Sequence, residues 1–343
     1  MGETGNKASV KRKRWGNIVK LIVFLGIGFL FIYLFLLKLE PSQKKAIWDS
    51  FVHADYWWVT ATMAACLLSH FARALRWRLL YEPMGQVPGL NNTFGSVVVA
   101  YMANLVFPRL GEVMRCATLR TSEDIPIEKS LGTVVTERAV DILAFGIIVL
   151  VGLLAMCGQS KEWRYGVLTE KSASLPGMAV LGVVAVVLLV VLVLVYRALR
   201  GRLLKYKAFE KIDSIIVGGL DGLKSIFHLK KRSLVLFIVY SIVIYLLYIA
   251  GGMLIMKAFP ETHILGFGAA FVLYLFGSVG MSISQGGLGA YPVLVWQALA
   301  LYGISETVGL AVGWLLWSSQ QVIVLVVGLV YLIHFSIANK KDK

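Results

Sequence analysis

Four groups of residues carry side chains able to hold a charged ligand or move a proton. In the first, Arg73 and Arg76 stand three apart, so they share one helix face, and Trp77 follows them. An apolar stretch ends here, so the group serves either as an interfacial anchor or as a phosphate contact. The second is Pro108-Arg109-Leu110-Gly111-Glu112-Val113-Met114-Arg115. Pro and Gly interrupt the backbone, and Arg109 and Arg115 flank Glu112. Guanidinium forks match phosphate oxygens, which makes Arg109, Glu112 and Arg115 lipid-headgroup candidates; a tight turn is the plainer alternative. The third is Glu137-Arg138-Ala139-Val140-Asp141. Glu137 and Asp141, four apart, fall on one helical face with Arg138 beside it. Two carboxylates against one Arg leave a surplus negative charge, which Arg109 or Arg115 is placed to balance. The group is either a structural ion cluster or a titrating site that couples transport to protons. The fourth is Gln285-Gly286-Gly287-Leu288-Gly289, where a helix restarting after the glycines would aim free N–H groups into the break. Close packing of small residues explains the same pattern. Gln320 and Gln321 sit near the middle of the last apolar run and could pair with it.

No hydrolase, zinc-peptidase or nucleotide-loop motif accompanies these groups. Cys66, Cys116 and Cys157 are isolated and read as small buried hydrophobes. The sequence therefore assigns no catalytic residue, no metal and no cofactor.

The elements that must position these groups are apolar helices. Of 343 residues, 58% are hydrophobic and 15% charged, against about 25% charged in a soluble domain. Crossing a bilayer takes about 20 apolar residues as helix. Leu21–Leu37, Tyr56–Phe71, Leu131–Cys157, Met178–Val195, Leu234–Met256 and Val308–Ile333 read as spans, the first as an uncleaved anchor. Thr93–Phe107 and 265–301 are short and broken by Gly or Pro, and read as re-entrant hairpins.

The net charge of +15 fits topology better than nucleic acid. With both termini in the cytoplasm and the first hairpin returning there, 26 basic residues lie inside and seven outside. A full crossing by Thr93–Phe107 would put the ten basic residues of 197–232 outside. The expected fold is thus all-α: a polytopic membrane bundle of about six spans plus two broken hairpins, inverted relative to each other. Broken segments in matching halves point to a transporter. Residues 1–16 form a basic cytoplasmic N-terminus, 17–335 the transmembrane domain and 336–343 a basic tail. Within the domain, 197–232 reads as an amphipathic helix on the cytoplasmic leaflet or as a solvated linker. Gly309 and Gly313 read as internal packing residues.

Arg73-x-x-Arg76-Trp77, Pro108-Arg109-x-Gly111-Glu112-x-x-Arg115, Glu137-Arg138-x-x-Asp141 and Gly286-Gly287-x-Gly289 occur in an order that resembles the lysylphosphatidylglycerol synthase transmembrane region family, also called the flippase-like domain or UPF0104 family. The likeness covers about residues 15–335. It implies an inner-membrane protein that moves a lipid between leaflets, read here as a stand-alone member without the soluble synthase domain. It makes Arg109, Glu112, Arg115, Glu137, Arg138 and Asp141 the core polar site. The expected function is a flippase for an anionic phospholipid or a polyprenyl-linked lipid. A lipid-modifying enzyme and a non-catalytic partner of a lipid-synthesising enzyme are the alternatives, and a homo-oligomer stays open.

Overall fold

The structure, a computed structural model, describes residues 51–106, 110–158 and 231–341, with Lys45, Trp48, Asp49, Ile226, Leu229 and Lys230 beside them. The expected spans Leu21–Leu37 and Met178–Val195, the basic N-terminus, nearly all of 197–232, and Arg109 lie outside the described residues.

Eight α-helices and no strand make up the described residues. They are α1 (Tyr56–Leu79), α2 (Leu90–Val106), α3 (Leu110–Glu123), α4 (Ile127–Gly158), α5 (Lys231–Met256), α6 (Phe267–Ile283), α7 (Ala290–Ala300) and α8 (Glu306–Lys341). By length and composition, α5 and residues Glu306–Phe335 of α8 can each cross a membrane, with mean hydropathies of 2.5 and 1.9. Their outward sides are apolar: Ile238, Ile242 and Leu246 on α5, and Val326, Leu329 and Ile333 on α8, are exposed. Such wide apolar belts are unfavourable against water and suit hydrocarbon.

The α2 and α6 helices have 17 residues each and α7 has 11. At 1.5 Å per residue they reach only about 26 and 17 Å, short of a bilayer core of about 30 Å. Each is the limb of a hairpin. The sequence reading ended the first broken segment at Phe107 and allowed a tight turn over 108–115, but residues 110–123 are helical and pack back along α2. The reason is buried apolar surface: Cys116 and Leu119 on α3 are fully buried. Gly111 permits the approach, because a Cβ there would lie 2.2 Å from the Ala100 carbonyl oxygen of α2.

The second hairpin turns between α6 and α7. Gly286, Gly287 and Gly289 all have positive φ, which other residues rarely adopt, and they form the break seen in the sequence. The tips of the two hairpins meet: a Cβ on Gly286 would touch the Leu105 side chain of α2. Gly309 and Gly313 press α8 on Trp296 and Pro292 of α7, the internal packing read from the sequence.

Two apolar clusters organise the interior. One joins α1, α5, α6, α7 and α8 through Val59, Ile255, Leu273, Val295 and Leu316. The other joins α1 to α5 through Trp77, Val97, Leu119, Val134 and Phe237. The α1 helix belongs to both, and its second half carries Arg73 and Arg76 into the second cluster.

Candidate functional site

The α1 face that bears Arg73 and Arg76 meets the α4 face that bears Glu137 and Asp141. A spacing of three on one helix faces a spacing of four on the other, so each guanidinium reaches both carboxylates. Arg73 Nη1 donates to Glu137 Oε1 at 2.7 Å and to Asp141 Oδ2 at 2.8 Å. Arg76 Nη2 donates to Glu137 Oε1 at 3.1 Å and to Asp141 Oδ1 at 2.6 Å. From α3, Arg115 Nη2 donates to Glu137 Oε2 at 2.6 Å. Glu137 thus holds three guanidiniums.

Neighbouring helices complete the shell. Arg73 Nη2 donates to the Tyr248 hydroxyl and Arg76 Nη1 to Ser241 Oγ, both on α5. The Tyr245 hydroxyl donates to the Asp141 carbonyl. The Arg115 guanidinium lies 4.3 Å from the centre of a Trp77 ring, whose Nε1 donates to Thr133 Oγ1 at 2.8 Å. A cation over an indole face is attracted by the ring quadrupole, so Trp77 helps to fix Arg115. The half-buried rings of Phe145, Tyr245, Tyr248 and Tyr274 pack in a cluster around Tyr274 across α4, α5 and α6.

Burial grades across the cluster. The side chains of Arg76 and Glu137 are 0% exposed, while Asp141 is 16% exposed. At the edge, Arg138 Nη2 donates to Glu112 Oε1 at 2.9 Å, and these side chains are 40% and 23% exposed. The arrangement therefore has a sealed end and an open rim. Among the described residues, four guanidiniums face three carboxylates, which leaves one positive charge in excess. The surplus negative charge expected for this helix is corrected, because two arginines from α1 join Arg115. The Nε atoms of Arg73, Arg76, Arg115 and Arg138 and the Oε2 atom of Glu112 are buried without a hydrogen-bond partner. Orphaned buried polar atoms of this kind mark a place for water or a ligand.

The expected site residues thus divide. Arg73, Arg76, Arg115, Glu137 and Asp141 form one ion cluster, and Glu112 and Arg138 form its rim. Gly286, Gly287 and Gly289 turn against α2 and α8 instead, where Trp317 Nε1 donates to the Gly286 carbonyl at 2.7 Å. The Gln285 side chain lies outside the described residues. Gln320 reaches the Tyr291 hydroxyl of α7, and Gln321 is half-buried on α8. Tyr245, Tyr248, Ser241 and Thr133 escaped the sequence reading. Hydroxyl residues inside apolar helices were the available signal, and the chain holds too many of them to single these out.

Residues 17–328 match the family described as Lysylphosphatidylglycerol synthase TM region. The chain belongs to that family. Membership makes it a membrane protein. A curated protein described as glycosyltransferase AglD, from Haloferax volcanii, is 27% identical to this family member over 151 residues. That match covers 43% of this chain and 24% of the relative, so the chain spans about a quarter of the relative's length. No solved structure matches.

Proposed function

We propose that this family member moves a phosphate-bearing lipid between leaflets, with the lipid headgroup entering at the Arg138–Glu112 rim. The observation that carries the reading is the cluster's charge and shape: one positive charge in excess, orphaned guanidinium N–H donors, and one end open. Ionised side chains at membrane depth cost a few kcal/mol each and persist where partners or a wet cavity receive them. Glu137 and Asp141 hold the three inner arginines in place, so these act as a fixed positive wall. Arg138 offers its fork to phosphate oxygens, while the lipid tails stay outside against the apolar faces of α4 and α5. The cluster of Phe145, Tyr245, Tyr248 and Tyr274 gives a headgroup an amphipathic surface near Asp141. In this reading the two hairpins are inverted repeats within a six-span bundle of the cytoplasmic membrane, with both termini inside.

The test is leaflet exchange of labelled anionic phospholipid in proteoliposomes. Wild-type protein should speed exchange, and Arg138→Ala should abolish the gain while eluting as a folded monodisperse species. Equal exchange by both proteins would refute the assignment.

The likeness to part of a protein described as a glycosyltransferase favours a second reading, in which the chain presents a lipid to a lipid-processing enzyme. Lipid mass spectrometry after deletion separates the two. A missing lipid species supports the second, and altered sidedness alone supports the first.

A further inference from the structure

Lipid chemistry at the charged cluster leaves another polar pocket unused, at the opposite end of α1. Trp58 and Arg73 are 15 residues apart, which is about 22 Å along the helix axis. A cavity of about 330 Å³ opens there, lined by His53, Asp55, Trp58, Lys257, Pro260 and His263. Its walls are fixed by backbone bonds. Asp55 N–H donates to the Ala258 carbonyl at 3.0 Å, which ties the start of α1 to the turn after α5. Thr262, fully buried, donates from Oγ1 to the Met256 carbonyl at 2.6 Å and holds that turn closed.

The polar atoms around the cavity have defined roles. His53 Nδ1 faces the Asp49 carbonyl at 2.7 Å, and His263 Nδ1 faces the Pro260 carbonyl. A carbonyl only accepts, so each Nδ1 carries a proton, and whenever the ring is neutral its Nε2 is an acceptor. Asp55 caps α1 by accepting from Trp57 N–H through Oδ1, which leaves Oδ2 as a further acceptor. Lys257 is the cation of the site, with its ammonium 5.2 Å from the Trp58 ring centre. The lining therefore offers three acceptors and one cation beside an indole and a proline.

Inorganic phosphate suits this set poorly, because a carboxylate and two imidazoles line the cavity beside a single cation. A polyol suits it well: hydroxyl protons go to Nε2 of each histidine and to Asp55, and an attached phosphate goes to Lys257. The volume is at the low end of ligand sites, which run from about 300 Å³, so it holds one sugar-sized unit. Among the described residues no group of His, Cys, Asp or Glu could hold a metal ion, which separates this site from a metal centre.

We propose that this pocket binds a single phosphorylated polyol or sugar, through Lys257 on the phosphate and Asp55, His53 and His263 on the hydroxyls. The same chemistry arrives either as a free sugar phosphate or as the headgroup of a glycolipid or inositol lipid.

Titration calorimetry on the full chain in detergent tests it with glucose 1-phosphate, glucose and inorganic phosphate, and lipid nanodiscs containing phosphatidylinositol or phosphatidylcholine supply the second source. Glucose 1-phosphate or phosphatidylinositol should bind, more tightly than inorganic phosphate and phosphatidylcholine, and the arm that binds names the source. Lys257→Met should weaken binding about tenfold or more, the value of one charge-assisted contact. Asp55→Asn keeps the helix cap and should weaken binding while leaving the fold intact. Arg138→Ala should leave glucose 1-phosphate binding unchanged, which makes that arm independent of the transport reading. In the nanodisc arm the Lys257→Met comparison is made within the Arg138→Ala background. Absence of binding in both arms, inorganic phosphate binding as tightly as glucose 1-phosphate, or binding that survives Lys257→Met and Asp55→Asn would each overturn the proposal. So would loss of glucose 1-phosphate binding in Arg138→Ala.

Discussion

Arg138 and Glu112 pair at 2.9 Å across α4 and α3, and this pair is the exposed edge of a cluster whose centre, Glu137, is fully buried. The two ends of the cluster therefore answer to different physics. Inside, every charge removed leaves another unpaired in a poor solvent for ions. At the rim, Arg138 and Glu112 are part-exposed, so changes there cost less folding stability.

Glu137→Gln removes the carboxylate that holds Arg73, Arg76 and Arg115 together. Breaking a buried pair from one side costs about 3–5 kcal/mol. Thermal unfolding in detergent should show a large loss of stability. Pairing the change with Arg115→Met should cost less than the sum of the single changes, because the two residues share one interaction. Additive losses would place Arg115 outside the cluster's energetics.

Glu112→Gln acts in the opposite sense. It removes a carboxylate from the half-open rim and leaves Arg138 only its longer contact to Asp141, at 3.9 Å. The local excess of positive charge doubles, so affinity for anionic lipid should rise while affinity for zwitterionic lipid stays level. Binding to nanodiscs of graded phosphatidylglycerol content measures this, and the gain should shrink with added salt. Weaker anionic-lipid binding would show that Glu112 itself contacts the headgroup.

Gly111→Ala should loosen the first hairpin. Its Cβ would enter the space of the Ala100 carbonyl and the Asn104 amide, which accepts from Gly111 N–H at 2.7 Å. Backbone cannot give way as a flexible side chain does, so a loss of about 1–3 kcal/mol is expected. Thermal melting reads it, and the wild-type midpoint in this variant would contradict the packing of α3 on α2.

Much of this arrangement was legible in the sequence, for reasons that differ by element. The spans at Leu234–Met256 and Val308–Ile333 stood out because lipid-facing helices are apolar nearly all round, and the structure extends them to Lys231–Met256 and Glu306–Lys341. The break at Gly286–Gly289 showed because only glycine takes those dihedral angles readily. The α3 helix was missed because its mixed composition, Leu110–Glu123, resembles a cytoplasmic turn, and only the packing of Leu119 and Arg115 reveals it. The partners of Arg73 and Arg76 were also hidden. Local spacing shows which residues share a face of one helix, but Glu137 lies 64 residues from Arg73 in sequence. Their pairing depends on how α1 and α4 cross, which no short motif records.

Trp317→Phe tests the second hairpin without disturbing the first. The ring volume is largely kept, but the bond from Nε1 to the Gly286 carbonyl is lost. The carbonyl is half-buried, so losing this bond costs about 1 kcal/mol. Hydrogen exchange at 284–289 should quicken while α1 and α4 keep their protection. Faster exchange throughout the bundle would mean that the two hairpins do not behave separately.

The central claim is that the open end of the charged cluster holds the phosphate of a lipid. Native mass spectrometry of the full chain released from mild detergent, with identification of the retained lipid, tests it most directly. Wild-type protein should keep a phosphate-bearing lipid, and Arg138→Ala should lose it while retaining its fold. Equal occupancy in both proteins, or a retained lipid without phosphate, would contradict the claim.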